Sequence, residues 1–410
     1  MGNNKNREGG CFQIPLSFIL LIIGGGYWWL IPQGNLSKIA QLIPIPFKPA
    51  IGTPSLPILA SPQAPPTSST TTNKRTRSTA KPIPPAIATQ TLPVKIASTP
   101  TPWDRKVIRG IYLSRYQITN NADEQTIRQR VRYYHDRGIN TIIHGVWGNG
   151  CTMYNSEIMQ QMLGAKSCPN QFQDRWLEWT IDEAHKQGMQ VHAYFEKGIK
   201  IDKNSPIFER AIANKWLVPG VDRTYTKVDH YVLDVEVPEV ANLFKNMLAE
   251  FVTKYPKVDA VQWDDYLGYH AELPGKVDRT ASLTNFARQM ITQMKAANPA
   301  VSFDLCHHNP YWAKRYFAAD WEKWGVDRVF IQDYNEKNFN EELNYAVNYA
   351  GVAITDVQLA RIPQLVANPK IKGILVFPLD GKPEETATRL QQIVNAKSGS
   401  KPASIATPVK

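Results

Sequence analysis

Acidic residues are nearly absent from the start of this chain: residues 1–102 hold nine Lys or Arg against a single acid. The last fourteen residues hold three Lys and no acid, so the two ends account for the whole formal charge of +11 and the stretch between them is neutral. A neutral body lacks the basic face that a nucleic-acid binder needs, and the high pI belongs to the tails. The run Asn73-Lys-Arg-Thr-Arg77 therefore reads as solvated linker. Cysteine is equally sparse, and four in 410 residues exclude a scaffold built on disulfides. Cys151 and Cys168 bracket a 16-residue loop and are a candidate bridge, whereas Cys306 ends an apolar run and reads as a buried thiol. Also lacking are a Gly-rich phosphate loop after the first apolar run and any His-x-x-x-His or His-Glu-x-x-His spacing. No cofactor and no metal centre is expected.

What is present divides by composition. Residues 1–11 are a short N-terminus, and 12–32 form a 21-residue run without charge, long enough to cross a hydrocarbon core as a helix. Lys5 and Arg7 before it favour a cytoplasmic start, and Tyr27, Trp28 and Trp29 at its far end suit an interfacial belt. With no small-x-small cleavage site after the run, it reads as a signal anchor that attaches the protein to a membrane, the remainder lying in the periplasm or cell envelope. Residues 33–102 are dominated by Pro, Ser, Thr and Ala, as in Ser61-Pro-Gln-Ala-Pro-Pro-Thr67, and read as a disordered linker spanning roughly 50 Å. Residues 103–396 are the globular part, and 397–410 a tail.

Within 103–396, apolar strand-like runs alternate with amphipathic helical stretches. Eight strands are expected, at 108–113, 141–146, 190–195, 260–264, 302–306, 328–332, 352–354 and 371–377. Helices such as 124–137 and 283–297 lie between them, with Gly138 and Gly188 marking helix ends. Eight such units in about 290 residues fit one (β/α)8 TIM barrel rather than a doubly wound open sheet.

The segment Val258-Asp-Ala-Val-Gln-Trp-Asp-Asp-Tyr266 is an apolar run ending in two adjacent carboxylates, which is where parallel barrels place their chemistry. Asp264 shares parity with Gln262 and points to the barrel mouth, whereas Asp265 begins the loop. In the third strand a period of two puts His192, Tyr194 and Glu196 on one face. Other polar strand-end residues are Arg115, His144, Asp304, His307, His308, Gln332, Asp333 and Tyr334. Several carboxylates with few basic groups suit glycoside hydrolysis, in which one acid protonates the departing oxygen and another attacks the sugar or activates water. Asp264, Asp265, Glu196 and Asp304 are the candidate catalytic acids. Candidate substrate contacts are His192, Tyr194, Trp147, Gln262, Trp263, Tyr266, His307, Asp333 and Tyr334; Trp147, Trp263 and Trp312 are rings able to stack on sugars or to fill the core.

Residues 109–380 resemble the bacterial glycosyl-hydrolase-like family 10, which is distinct from the xylanases sharing that number. The matching stretches run in order: Arg109-Gly-Ile-Tyr-Leu113, Gly138-Ile-Asn-Thr141, Tyr154-Asn-Ser156, Glu183-Ala-His-Lys-Gln-Gly188 leading into His192-Ala-Tyr194, Asp264-Asp265-Tyr266, and Ile371-Lys-Gly-Ile-Leu-Val-Phe377. The resemblance implies a TIM barrel acting on envelope glycans, including peptidoglycan strands stripped of peptides. The chain departs from the family at Glu196-Lys-Gly-Ile199, at Asp304-Leu-Cys-His-His308 and at Gln332-Asp-Tyr-Asn335. There the family usually carries Asn-Pro-Tyr-Arg, Ser-Pro-Phe-Gly and Gln-x-Tyr-Trp. These departures mark a divergent branch.

The expected protein is a membrane-anchored, extracytoplasmic glycoside hydrolase whose partner is a glycan. Two other classes stay open. A noncatalytic glycan-binding barrel would keep the aromatics and lose the second acid. A metal-dependent deacetylase or hydrolase would use His192, His307 or His308 with Asp264 or Asp265.

Overall fold

The computed structural model describes residues 100–397, apart from 115–116, 120–121, 170–171, 224–227, 271–272 and 274–277. The expected membrane span at 12–32, the linker up to residue 99 and the tail from 398 onward lie outside the described residues, as does Arg115. Among the described residues no helix is long and apolar enough to cross a membrane.

Eight parallel strands close into a barrel: β1 (Ile108–Leu113), β2 (Thr141–Gly148), β3 (Gln190–Phe195), β4 (Ala260–Asp264), β5 (Ser302–His307), β6 (Arg328–Gln332), β7 (Gly351–Thr355) and β8 (Gly373–Phe377). Each pairs with its sequence neighbours, and β8 pairs with β1 to complete the ring. The strands read as unbroken apolar runs because both faces are covered; every residue of β2, β4 and β7 is buried. The last strand is shorter than its apolar run, because Ile371 N–H is bonded to Asn368 O in the preceding turn.

Helices wrap the outside and show why their sequences are amphipathic. Glu124–His135 starts at the Asp123 cap, whose side chain accepts from Thr126 N at 2.8 Å, and buries Ile127, Val131 and Tyr134 at helical spacing. Pro238–Lys254 opens on a proline, which loses nothing at a helix start, and buries Val240, Leu243, Phe244, Met247, Leu248, Phe251 and Val252. Thr280–Ala297 begins three residues ahead of its first apolar position, because Asp278 accepts from Thr280 N at 2.9 Å in the first turn.

Inside the ring, Ile108, Ile143, Phe330, Ala353 and Leu375 form an apolar plug topped by Tyr112, Tyr194 and Cys306. Gly110 belongs there by size: a Cβ would stand 2.5 Å from Leu375 Cδ2 and 2.7 Å from Ile143 Cδ1. Two excursions decorate the mouth end. Cys151–Thr152 folds back antiparallel on the end of β2, and Cys151 is disulfide-bonded to Cys168. Lys200–Ile201 pairs antiparallel with Tyr231–Val232 in the long segment between β3 and β4.

Candidate active site

Strand parity sorts the polar residues into levels. Register places Tyr194 beside Gln262 and Gln262 beside Asp304, while Asp264 lies beside Cys306 one step nearer the mouth. Asp264 is the last residue of β4 and 6% exposed. Tyr194 O–H donates to its Oδ2, and Tyr266 N–H donates to its Oδ1 at 2.9 Å. Burial first, and then the neighbouring Asp265 carboxylate, push the Asp264 carboxyl from 3.8 up to about 8; its two hydrogen bonds and the Lys200 ammonium pull the other way. At neutral pH this carboxyl holds its proton at the mouth of the barrel. Tyr194 itself is held well above its ordinary range, by burial and then by Asp264, and stays a hydroxyl donor.

Asp265 turns out of the strand and meets a different set of partners. Gln332 Nε2 donates to its Oδ1 at 3.1 Å, and His308 Nε2 stands 3.8 Å from its Oδ2. Burial lowers the His308 pKa while Asp265 opposes that shift. Glu196 follows β3, is half-buried, and its charge bears on both Tyr194 and Tyr266, the two rings that flank Asp264. Its loop is held by unusual backbone. Lys197 and Gly198 have φ of 63° and 46°, and a Cβ on Gly198 would lie 2.6 Å from Tyr266 O, so only glycine lets this loop touch the Asp-Asp-Tyr turn. Trp147 Nε1 donates to Gly198 O at 2.8 Å, and Ile199 N to Tyr266 O at 3.2 Å, which ties the ends of β2, β3 and β4 together.

Tyr334 closes the other side, with its hydroxyl 3.9 Å from Cys306 Sγ and its ring 6.3 Å from that of Phe377. Gln262 lies beneath, wholly buried, its Nε2 donating to Tyr112 OH at 2.8 Å.

Several expected contacts are corrected by burial. Asp304 lies one level below the mouth, wholly buried, accepting from Ser302 Oγ at 2.7 Å and Arg328 Nε at 2.8 Å. It is the counter-charge of the barrel floor and is not brought together with Asp264. His192 shares that floor, 3.3 Å from Asp304 Oδ2, and burial depresses it to about 3. Trp147 and Trp263 are wholly buried on the outer faces of their strands, Trp263 stacked on Phe195 at 5.1 Å, so neither ring reaches a sugar. His307 and Asp333 also have outward parity and are wholly buried, His307 lying 5.3 Å from the Phe317 ring. Trp312 is half-buried on the helix Pro310–Phe317, against Tyr316 at 4.9 Å.

Two contributors were not foreseen. Tyr112 has the parity of Ile108 and Gly110 and touches Tyr194 edge-on at 5.2 Å, so the period of two already carried the signal. Lys200 comes from the excursion after β3, wholly buried, paired with Asp222 at 2.9 Å and standing 4.9 Å over the Tyr266 ring. No local pattern marks a buried lysine whose partner lies 22 residues away.

The first half of the barrel is similar to known proteins. Residues 107–277, which supply β1 to β4 and both adjacent acids, match the profile of the family described as glycosyl hydrolase-like 10. Over that region the chain is similar to the glycosyl hydrolase-like 10 family. Glycosyl hydrolase DigH of Escherichia coli K12 is 30% identical over 179 residues, 41% of this chain and 39% of that protein, and the Shigella flexneri protein of the same name aligns equally. The chain thus spans about two fifths of the curated relatives it matches. Among solved structures, an Anoxybacillus α-amylase superposes with a TM-score of 0.47 at 12% identity, covering 72% of this chain and 79% of that one. A family 20 β-N-acetylglucosaminidase gives 0.46 at 11% identity, covering 74% and 72%. Likenesses this distant say nothing of the reaction.

Proposed function

We propose that this protein, similar over residues 107–277 to the glycosyl hydrolase-like 10 family, is a glycoside hydrolase acting on a cell-envelope glycan, with peptidoglycan glycan strands as the preferred class, and that Asp264 is its general acid. The observation that carries the reading is the carboxyl at the end of β4, raised to about 8 by burial and Asp265 and held in place by Tyr194 and the Tyr266 amide. A protonated acid at the mouth of a barrel can give its proton to the glycosidic oxygen as the bond from that oxygen to the anomeric carbon breaks. The hydroxyl of a water then completes the sugar, and its remaining proton returns to a carboxylate. Asp304 is occupied by Arg328 in the floor, so Glu196 and Asp265 are the acids left for the second role. Tyr266 and Tyr334 flank the acids and can meet the apolar face of a sugar ring.

The uncharged run at 12–32 and the linker after it support attachment to a membrane, with the barrel held in the envelope where such strands occur. The test is to incubate the full-length protein with purified glycan strands, with and without peptide stems, and to count reducing ends. Wild type should release them, and Asp264→Asn should release them at least about a hundredfold more slowly while still binding the strands. A noncatalytic glycan-binding barrel would bind equally in both forms and release none.

A further inference from the structure

Lys200 takes no part in the chemistry proposed above, and stability alone does not account for it. Its side chain is wholly buried, with Nζ 2.9 Å from Oδ2 of the Asp222 side chain, which is buried as completely. Well-packed apolar side chains of the same volume often stabilise a fold as well as such a pair, or better. The backbone sets the pair in place. Lys200 is paired with Val232, Asp222 N–H donates to His230 O at 2.8 Å, and His230 N–H donates to Asp222 O at 3.0 Å, so both partners belong to one antiparallel arm between β3 and β4. The ammonium also stands over two rings, 4.9 Å from the centre of Tyr266 and 5.8 Å from that of Phe317. Each ring leads to one of the two adjacent acids. Tyr266 N–H donates to Asp264 Oδ1 at 2.9 Å, while Phe317 stacks at 5.1 Å on His308, whose Nε2 is 3.8 Å from Asp265 Oδ2. His230 of the same arm meets the Tyr266 ring edge-on at 5.4 Å.

We propose that Lys200, held by Asp222, is a positioning residue that fixes the Tyr266 and Phe317 rings and, through them, the Asp264 and Asp265 carboxyls at the mouth. The inference rests on the reading of Asp264 as the acid, yet it can be tested without turnover. A cation over an aromatic face is held most firmly where water is excluded, as it is here. Its charge also reaches the site. Tyr194, Asp265 and Lys200 all bear on the Asp264 carboxyl; Lys200 is the cation among them and opposes the rise that burial and Asp265 cause. It acts on His308 too, adding to the lowering that burial imposes while Asp265 opposes it. Methionine in its place would fill the volume and lose both the charge and the ring contact, whereas a guanidinium keeps the charge and can lie over a ring.

The experiment is carbon NMR of the full-length protein, labelled at the aspartate carboxyls and the lysine ε-carbons and titrated with pH, beside kcat and KM on glycan strands. Asp264→Asn assigns the Asp264 signal. Lys200→Met alone strands the Asp222 charge and should unfold easily, so the informative variant is Lys200→Met with Asp222→Leu, which removes both charges and should unfold within a few degrees of wild type. In that double variant the Asp264 titration should move to higher pH and kcat should fall at least about tenfold, with a smaller change in KM. Lys200→Arg should recover most of both. A folded double variant whose Asp264 titration and kcat match wild type overturns the proposal. Wild type alone gives a second test that needs no variant to fold: one lysine ε-carbon should shift in step with Asp264 near pH 8, well below the range of exposed lysines, and its absence also overturns the proposal. A wild type that releases no reducing ends would instead overturn the glycosidase reading, and the titrations would still decide the role of Lys200.

Discussion

The two adjacent aspartates have unlike surroundings. Asp264 ends a strand and accepts from a hydroxyl and an amide, whereas Asp265, buried as well, turns into the loop toward Gln332 and His308. Like charges this close do not both ionise readily, and burial together with the Asp265 carboxylate keeps the proton on Asp264. Tyr194 tunes the balance, since its O–H favours the ionised form of Asp264. Tyr194→Phe removes that donor and should move the alkaline limb of kcat/KM to higher pH while kcat falls, a shift read from rate profiles of the two proteins. An unmoved limb would show that the hydroxyl does not act on Asp264. The parity of β3 and β4 made both residues legible in the sequence. The tryptophans misled because an aromatic at a strand end fits the outer layer as well as the mouth, and one residue of register separates the two. Asp304 misled for the complementary reason: its parity is correct, but its height along β5 is set by the Arg328 that claims it.

At the scale of elements, the site depends on the contact between the loop after β3 and the Asp-Asp-Tyr turn after β4. Gly198 makes that contact possible, both by its φ of 46° and by the absent Cβ. Gly198→Ala should force the loop away from Tyr266, cost about 2 kcal/mol or more of stability, and lower activity by displacing Glu196 and Tyr266 together. Denaturant unfolding measures the first effect and the glycan assay the second; an alanine variant as stable and as active as wild type would remove this contact from the account. The barrel strands were legible because strands buried on both faces are apolar throughout and glycine stops separate them from helices, as at Gly138 and Gly188 with φ of 77° and 68°. The excursion bearing Lys200 was not, because two-residue strands held by pairing across thirty residues have no period to read.

At the scale of the molecule, closure of the eight-stranded ring brings residues from β3, β4, β5 and β6 to one mouth, and the disulfide between Cys151 and Cys168 fastens the loop after β2 at that end. Opening it frees a loop of 16 residues, so reduction should cost about 3 kcal/mol by loop entropy. Unfolding curves with and without reductant test this, and coincident curves would contradict it. The free Cys306 is buried in the barrel interior and complicates neither.

The same whole-molecule burial links stability to pH. Asp264 has a folded pKa raised from 3.8 to about 8, so the folded chain holds a proton that the unfolded chain releases; the stability this contributes is intact below about pH 4 and is lost as pH rises to about 8. If Asp264 is the general acid as proposed, catalysis should fail over the upper part of that range, where it loses its proton. The most direct test is therefore kcat/KM of the full-length protein on purified glycan strands from pH 5 to 10, within the range where it stays folded. The account predicts an alkaline limb near pH 8. Turnover that holds level to pH 10 would contradict it.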